Sequence, residues 1–302
     1  MTTEITMSTL SNRPRRSVLY MPGSNARVLE KAKSLNADSL ILDLEDAVAP
    51  EKKSEARDLV CRAVKGGGYG HRELILRING LDTPWGEEDL AAAMAAQPNA
   101  ILVPKIFNPA DVMRIAETIN AGGVPLTTEL WIMMETPLAM LNAGAIAEIA
   151  KDPDARLSCM VMGTNDLAKD TKAALTAGRA PMVPWLMTCI AAARAFGLNI
   201  IDGVYNDFAD LQGFADECRQ GREMGMDGKT LIHPKQIDPC NEAFSPNHEQ
   251  VSMARKIMAA FELPENVGKG AIQLEGKMVE RLHCDMAAQL VAVAEAIEAR
   301  DA

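Results

Sequence analysis

The stretch SLILDLEDAVAPEKKSEARDLVCRAVKGGGYGHRELILRI, residues 39–78, decides the fold class of this chain. It begins with the apolar run 39–44 and ends with the similar run 73–78, and residues 53–64 between them carry apolar side chains at helical spacing. Two such runs joined by a helix are typical of parallel strands with a crossover helix. Because the runs are apolar at nearly every position, they suit a sheet covered on both faces. We therefore predict an α/β fold.

The same alternation extends outward from this unit along most of the chain. Eight apolar runs are separated by longer stretches of helical periodicity, and this number favours a closed (β/α)8 TIM barrel over an open doubly wound sheet. No GxGxxG motif follows the first run, which weakens a dinucleotide-binding interpretation. The predicted strands are residues 17–21, 39–44, 73–78, 100–105, 129–134, 157–162, 199–204 and 229–233.

The strand pattern stops near residue 240. Beyond it the sequence shows helical spacing after a Ser-Pro start, then a glycine-punctuated segment, and then a second helical stretch. We predict a barrel catalytic domain over residues 1–240 and a C-terminal helical extension or lid over residues 241–302.

Charge and composition limit the partners that this chain can have. It has 302 residues with a net charge of −10, and 48% of the residues are hydrophobic, as in a globular protein with a large core. Because nucleic acids and membrane surfaces require a cationic face, the charge argues against both as partners. The six cysteines show no metal-ligand spacing and are predicted to be free thiols. With no signal peptide and no apolar run of about 18 residues, we expect a cytoplasmic protein.

Polar or ionisable residues follow almost every predicted strand. In a (β/α)8 barrel the carboxyl ends of the strands form the active-site face, so these residues should converge there. Glu135 and Asp166 follow two consecutive runs, and neighbouring parallel strands would bring both carboxylates to one side of the barrel mouth. Hard oxygen ligands of this kind suit Mg²⁺, or Mn²⁺ in its place. Each acid by itself could equally be a helix cap or one half of a surface ion pair.

Arg77 lies where another predicted strand meets its loop. A guanidinium there could clamp a carboxylate or an enolate oxygen through two hydrogen bonds, or it could form a structural salt bridge with a strand-end acid. The DLEDA segment offers such acids in Asp43, Glu45 and Asp46. One of them, with Asp46 in the turn as our candidate, could hold a metal-bound water or orient Arg77. The alternative is an acidic cluster at a helix N-terminus.

Two further strand-end residues have competing interpretations. Lys105 could form a Schiff base, but a metal site built from two carboxylates makes that mechanism redundant, so we predict a structural or electrostatic role. His233 precedes a proline, and a histidine at such a position is more often a satisfied strand-end residue than a catalytic base.

At these residues the sequence resembles the citrate lyase β-subunit-like and malyl-CoA lyase family of CoA-ester lyases, within the HpcH/HpaI aldolase superfamily. The matching stretches cover most of residues 16–250 in the family's order. They are RSVLYMPGSNARVLEKA, DSLILDLEDAVAPEKKSEAR, LRING, ILVPK, METPLAMLNA, MGTNDLA, DGVYNDFADLQGF, GMDGKTLIHPKQI and AFSPN.

The resemblance implies a (β/α)8 fold and a homo-oligomer, usually a trimer, with a hexamer as the alternative. It implies that Glu135 and Asp166 hold Mg²⁺ and that Arg77 contacts the oxygen of an α-keto acid or enolate. The carboxylate of the keto acid should be held by backbone amides of Gly163, Thr164 and Asn165.

The resemblance also assigns a role to the end of the chain. In relatives a C-terminal lid donated by a neighbouring subunit carries an Asp in a GKMID-like motif. Here the corresponding run is GKMVE, which ends at Glu280. Because Glu280 keeps the carboxylate, it is our candidate for proton transfer. Its side chain is one methylene longer than that of Asp, so proton transfer would be repositioned or the substrate preference changed.

Together these inferences predict a Mg²⁺-dependent carbon–carbon lyase that acts on a β-hydroxyacyl-CoA such as (S)-malyl-CoA, β-methylmalyl-CoA or citramalyl-CoA. It would release acetyl-CoA or propionyl-CoA with glyoxylate or pyruvate. Arg27 and Lys31, four residues apart on one helix face, are candidate contacts for the CoA phosphates, and a solvated helix face is the alternative. Three rivals are a malyl-CoA thioesterase, a citryl lyase subunit acting on an acyl-carrier protein, and a barrel without catalysis that serves as a binding protein.

Overall fold

A computed structural model of the chain describes residues 13–301. Eight parallel strands form a closed barrel in which each strand pairs with the next along the chain and the first pairs with the eighth. The prediction of a TIM barrel is confirmed, and each of the eight predicted runs overlaps one strand. The strands are β1 (Ser17–Pro22), β2 (Ser39–Asp43), β3 (Glu73–Arg77), β4 (Ala100–Val103), β5 (Glu129–Met134), β6 (Leu157–Met162), β7 (Asn199–Asp202) and β8 (Gly228–Leu231).

Helices alternate with these strands and cover the outside of the barrel. Several start at a capping side chain directly after a strand: Thr136 follows β5, and its side chain accepts a hydrogen bond from the Ala139 N–H. Such caps end the strand and begin the helix at a defined residue. The helices are α1 (Ala26–Ala32), α2 (Lys53–Gly66), α3 (Gly86–Ala96), α4 (Pro109–Ala121), α5 (Pro137–Glu148), α6 (Thr164–Thr171), α7 (Val183–Ala195), α8 (Leu211–Met224) and α9 (Ile237–Phe244).

The interior of the barrel is filled by side chains and carries an ionic layer at its amino-terminal end. Arg15 donates to Glu73 and Glu129 at 2.7 and 2.8 Å, and its guanidinium lies 4.8 Å from the ring centroid of the buried Trp131. Above this layer, apolar residues such as Ile75 and Val161 pack against one another in a separate cluster. Because one end is packed in this way, the polar residues at the carboxyl ends of the strands are where a ligand has room to bind.

Among the described residues the first compact unit spans Arg15–Phe244, and the second contains the chain from Ser245 onward together with Arg13 and Pro14. Helix α9 therefore belongs to the barrel unit, although the predicted boundary at residue 240 falls inside it. The second unit contains α10 (His248–Glu262) and α11 (Arg281–Asp301), which pack against each other. It also contains an antiparallel hairpin of β9 (Ala271–Leu274) and β10 (Lys277–Glu280), which a purely helical extension does not include.

The hairpin escaped prediction because its strands are short and its turn is atypical. Glu275 and Gly276 both have positive φ, at 49° and 78°, as the tight turns favoured in hairpins require. Asn-Gly or Asp-Gly is the usual signal for such a turn, and Glu-Gly is a much weaker one.

All six cysteines carry free thiols, as the spacing predicts. Within residues 13–301 no helix combines the length and the apolar character that crossing a membrane requires.

Candidate active site

The carboxyl ends of the barrel strands surround a cavity of about 280 Å³. Ten residues are predicted from the sequence to take part in catalysis, substrate binding or metal binding, and seven of them line this cavity. These seven are Asp46, Arg77, Glu135, Gly163, Thr164, Asn165 and Asp166.

The remaining three nominated residues lie on other elements. Arg27 and Lys31 are exposed on α1, the helix that follows β1. Glu280 is the last residue of β10 in the second unit, where its backbone N–H donates to Nδ1 of His283 at 2.9 Å.

Arg77 is held rigidly by a carboxylate from the neighbouring strand. Its Nε and Nη2 donate to Oδ1 and Oδ2 of Asp43, both at 2.7 Å, and both side chains are buried. The ring centroid of Tyr20 lies 4.7 Å from the guanidinium carbon. Burial opposes the charged form of each partner, but their mutual attraction prevails, so the pKa of Asp43 lies below its usual value and that of Arg77 above it.

The pair of Arg77 and Asp43 fixes the direction of the third guanidinium nitrogen. Nη1 lies 2.8 Å from Oε2 of Glu45 and 3.4 Å from Oδ2 of Asp46. The Asp46 side chain is 71% exposed, whereas Glu45 is largely enclosed. Among the described residues, Glu45 Oε2 accepts no well-aligned hydrogen bond despite its closeness to Arg77. Burial, opposed by Arg77 and reinforced by Glu135, raises the pKa of Glu45 to about 8.

Glu135 and Asp166 are brought together around one cation of the protein itself. The Lys105 ammonium lies 2.5 Å from Asp166 Oδ1 and 3.6 Å from Glu135 Oε1, and the Lys105 backbone N–H donates to the same Glu135 oxygen at 2.8 Å. Glu135 is only 1% exposed. Burial raises the pKa of Glu135, and Lys105 opposes that shift. Lys105 thus forms ion pairs with both carboxylates, and the structural or electrostatic role predicted for it stays a prediction.

The donor set fits a divalent cation. The described residues contain no cluster of three Asp, Glu, His or Cys side chains arranged as metal ligands. Mg²⁺ needs only one or two protein carboxylates, because water and substrate oxygens complete its shell. Around the cavity the acids Asp43, Asp46, Glu135 and Asp166 outnumber the bases Arg77 and Lys105. This excess of acids indicates that the site is suited to additional positive charge.

The loops after β6 and β7 close the other side of the cavity. Gly163 precedes α6, so the backbone N–H groups of its first turn have no partners within the helix and can bind an anion. Asn165 and Asn206 exchange two hydrogen bonds between their side-chain amides, at 3.1 and 2.9 Å, which links the first turn of α6 to the loop after β7. Asn206 also lines the cavity. No sequence pattern signals this pairing, since the two residues are far apart in the chain.

We expect Gly163→Ala to damage the candidate metal site. A Cβ at residue 163 would come within 2.4 Å of the Glu135 Cβ and 2.6 Å of its Oε2, so the carboxylate must shift. The substitution should lower the free energy of unfolding by about 1–3 kcal/mol and weaken Mg²⁺ binding. Thermal melting and titration calorimetry with Mg²⁺ measure both effects.

Gly144→Ala is the matched control for this substitution. Gly144 lies inside α5 with open space around its Cβ position, so alanine there should stabilise the helix slightly. If Gly163→Ala bound Mg²⁺ as tightly as the unchanged protein, the close packing of Gly163 against Glu135 would have no bearing on the metal site.

Known proteins resemble this chain over almost its whole length. The family model described as HpcH/HpaI aldolase/citrate lyase matches residues 16–234. A (3S)-malyl-CoA thioesterase of Cereibacter sphaeroides is 50% identical over 286 residues, which cover 95% of this chain and 96% of that protein. Human mitochondrial citramalyl-CoA lyase is 32% identical over 295 residues, which cover 94% and 87% of the two chains.

Solved structures share the fold. A crystal structure of CitE from Mycobacterium tuberculosis, in complex with magnesium, acetoacetate and coenzyme A, superposes with a TM-score of 0.75 at 27% identity, over 94% of this chain and 99% of that one. A citrate lyase structure from Burkholderia xenovorans gives a TM-score of 0.79 at 20% identity, covers 93% of this chain and 92% of its own, and shows the similarity of the fold alone.

Proposed function

Because the chain belongs to the HpcH/HpaI aldolase/citrate lyase family, and is therefore an enzyme, we propose that it converts a β-hydroxyacyl-CoA thioester of the malyl-CoA type. The observation that carries this proposal is the cavity in which a fixed guanidinium, Arg77, faces a pair of carboxylates, Glu135 and Asp166. That arrangement suits a short substrate with a carboxylate and a hydroxyl group near a carbonyl carbon.

Glu135 and Asp166 are proposed to hold Mg²⁺, which Mn²⁺ could replace. When bound, the ion would supply Lewis-acid polarisation of substrate oxygens. Magnesium in the Mycobacterium tuberculosis CitE crystal, together with coenzyme A and acetoacetate, supports the assignment. The Lys105 backbone N–H holds Glu135 at 2.8 Å, and Gly163 packs closely against the same side chain.

The chain's own groups then bind and orient the substrate. The N–H groups of Thr164 and Asn165 would bind the terminal carboxylate, since the start of a helix favours an anion. The Gly163 N–H, which the sequence also nominates for this role, donates to the Met134 carbonyl at 3.0 Å and is already committed. Arg77 would stabilise negative charge on the reacting oxygen through Nη1, because its other nitrogens are committed to Asp43. The CoA phosphates would lie toward Arg27 and Lys31, which are exposed on α1.

Hydrolysis of the thioester is the reaction that we place first. The (3S)-malyl-CoA thioesterase shares 50% of its residues with this chain over nearly the full length of both proteins. In this reaction a carboxylate removes a proton from water, the hydroxide adds to the thioester carbonyl, and the CoA thiolate leaves and is protonated. Free malate and CoA are the products.

Carbon–carbon cleavage is the second candidate, and it uses the same bound substrate. It is supported by the citramalyl-CoA lyase at 32% identity. A base removes the hydroxyl proton, the carbon–carbon bond breaks to release glyoxylate or pyruvate, and the enolate of acetyl-CoA or propionyl-CoA is protonated. Arg77 would stabilise the developing charge in both reactions.

Glu280 is proposed as the acid–base group, on a lid from a neighbouring subunit of a trimer or hexamer, and Asp46 as a second acid beside Arg77. We expect Glu280→Gln to lower kcat by about 10²- to 10⁴-fold, the usual contribution of general acid–base catalysis, with Mg²⁺ affinity unchanged. Steady-state kinetics and calorimetry test this. Glu275→Gln, a loss of charge in the same unit at a surface ion pair with Lys256, is the control. Unaltered kinetics in Glu280→Gln would exclude that residue from the site.

Product analysis decides between the two reactions. Malyl-, β-methylmalyl- and citramalyl-CoA are incubated with Mg²⁺ or with EDTA, and free thiol and keto acid are both measured. Hydrolysis gives thiol without keto acid, and cleavage gives keto acid without thiol. Turnover of free CoA esters also separates both reactions from a citrate lyase subunit that depends on an acyl-carrier protein. Full activity after complete metal removal would contradict the proposal.

A further inference from the structure

Lys105 occupies an unusual position among the residues around the cavity. It follows β4 with a left-handed backbone, at φ 55°, which lysine seldom adopts. This conformation brings both its backbone N–H and its side-chain ammonium to Glu135, and the ammonium also reaches Asp166. One residue therefore contacts both proposed metal ligands.

The ammonium lies beside one oxygen of each proposed metal ligand. It is 2.5 Å from Asp166 Oδ1 and 3.6 Å from Glu135 Oε1. Mg²⁺ binds its oxygen ligands at about 2.0–2.1 Å. A divalent ion bound to these same two oxygens would overlap with an ammonium in this place and would repel it. The two cations therefore compete for these oxygens.

The side chain of Lys105 can move from the carboxylates into solvent. The Lys105 side chain is 30% exposed and the Asp166 side chain 29%, whereas the Glu135 side chain is buried. The four-carbon stem lets the ammonium move to solvent without a change in the backbone. The backbone N–H can therefore keep holding Glu135 after the ammonium has left.

We propose that the Lys105 ammonium is an internal competitor for the metal: it neutralises Glu135 and Asp166 in the metal-free protein, and Mg²⁺ binds only by displacing it. This inference rests on the proposed metal site. Its consequence is that the protein stays folded without metal at the expense of metal affinity. The apparent affinity for Mg²⁺ equals the intrinsic affinity of the open site multiplied by the fraction of protein molecules in which the site is open.

Lys105→Met tests the competition, because methionine keeps the apolar stem and the backbone N–H but removes the charge. We expect the variant to bind Mg²⁺ at least about 10-fold more tightly by titration calorimetry, as removal of an occupant present about nine-tenths of the time would give. Without metal its Tm should fall by about 2–4 °C, because two carboxylates are left facing each other. Added Mg²⁺ should then raise the Tm of the variant more than that of the unchanged protein.

Two control variants complete the experiment. Lys172→Met removes a charge at another lysine with a left-handed backbone, φ 61°, and in the described part of the chain no ion pair involves Lys172. It should leave Mg²⁺ affinity unchanged. Lys105→Arg keeps the charge and should show no gain in affinity. If Lys105→Met does not fold, Lys105→Gln is measured in its place.

Equal or weaker Mg²⁺ binding by the neutral Lys105 variants would overturn the inference while leaving the metal site intact. An unchanged protein that binds no Mg²⁺ would overturn the proposed site as well, so the two failures are distinguishable.

Discussion

Asp166→Asn and Glu135→Gln are each expected to lower turnover by at least about 10³-fold, equivalent to about 4 kcal/mol of lost transition-state stabilisation. Each change removes one of the two anionic oxygen ligands while keeping the shape of the side chain. A neutral amide oxygen is a far poorer ligand for a hard divalent ion than a carboxylate. Mg²⁺ affinity, measured by calorimetry, should fall together with kcat/KM.

The barrel should remain folded in both variants. The Glu135 side chain accepts its hydrogen bond from the backbone N–H of Lys105, and a neutral amide oxygen can accept the same bond after Glu135→Gln. Asp170→Asn, one turn further along α6 on an exposed position, is the matched control and should behave like the unchanged protein. Variants with full activity and unchanged Mg²⁺ affinity would refute the ligand assignment.

Arg77→Lys is expected to reduce kcat/KM by about 10²- to 10³-fold, the usual effect of losing one donor to a developing oxyanion. Lysine preserves the charge but cannot reproduce two parallel hydrogen bonds to Asp43 and still direct a third donor into the cavity. Because Asp43 is buried, its weaker pairing should also lower the free energy of unfolding by about 1–3 kcal/mol.

The kinetic and structural consequences of Arg77→Lys are separable. Activity is measured well below the Tm of the variant, and Tm is determined by calorimetry. Arg114→Lys, at an exposed ion pair with Asp111 on α4, is the control and should change neither quantity. If Arg77→Lys kept full activity, charge alone would suffice at this position, and the fixed direction of the guanidinium would have no role in catalysis.

The sequence predicted the barrel and the location of its site because both depend on simple patterns. Most of the strands are apolar along most of their length, and polar residues follow where they end. Strands in a closed parallel barrel all end at one rim, so Arg77, Glu135 and Asp166 converge although they are far apart in sequence.

Other features of the site depend on the backbone conformation of single residues or on contacts between side chains, and no pattern in the sequence predicts these. Alternation of faces applies only within a strand, and β2 ends at Asp43, so the burial of Glu45 and the exposure of Asp46 could not be read from their spacing. Lys105 contacts both carboxylates from a backbone with a left-handed φ. The amide pair of Asn165 and Asn206 joins the start of α6 to the loop after β7, and the barrel sets the relative positions of the two.

The choice between hydrolysis and cleavage depends on a small difference in the same pocket. Both reactions need the substrate carboxylate, the metal and Arg77 in one arrangement, so these residues do not separate them. What separates them is whether water or the substrate hydroxyl gives up the proton. We expect the length of the carboxylate side chain at position 280 to influence this choice, since Glu280→Asp shortens it by one methylene and should change the ratio of thiol to keto acid.

The most direct test of the central claim is an anomalous difference map from a crystal of the protein soaked in Mn²⁺. We expect one strong peak between the Glu135 and Asp166 carboxylates, about 2.0–2.3 Å from an oxygen of each, with the Lys105 ammonium moved away. A Mn²⁺ peak bound to other residues, or an empty space between these two carboxylates at saturating Mn²⁺, would contradict the claim.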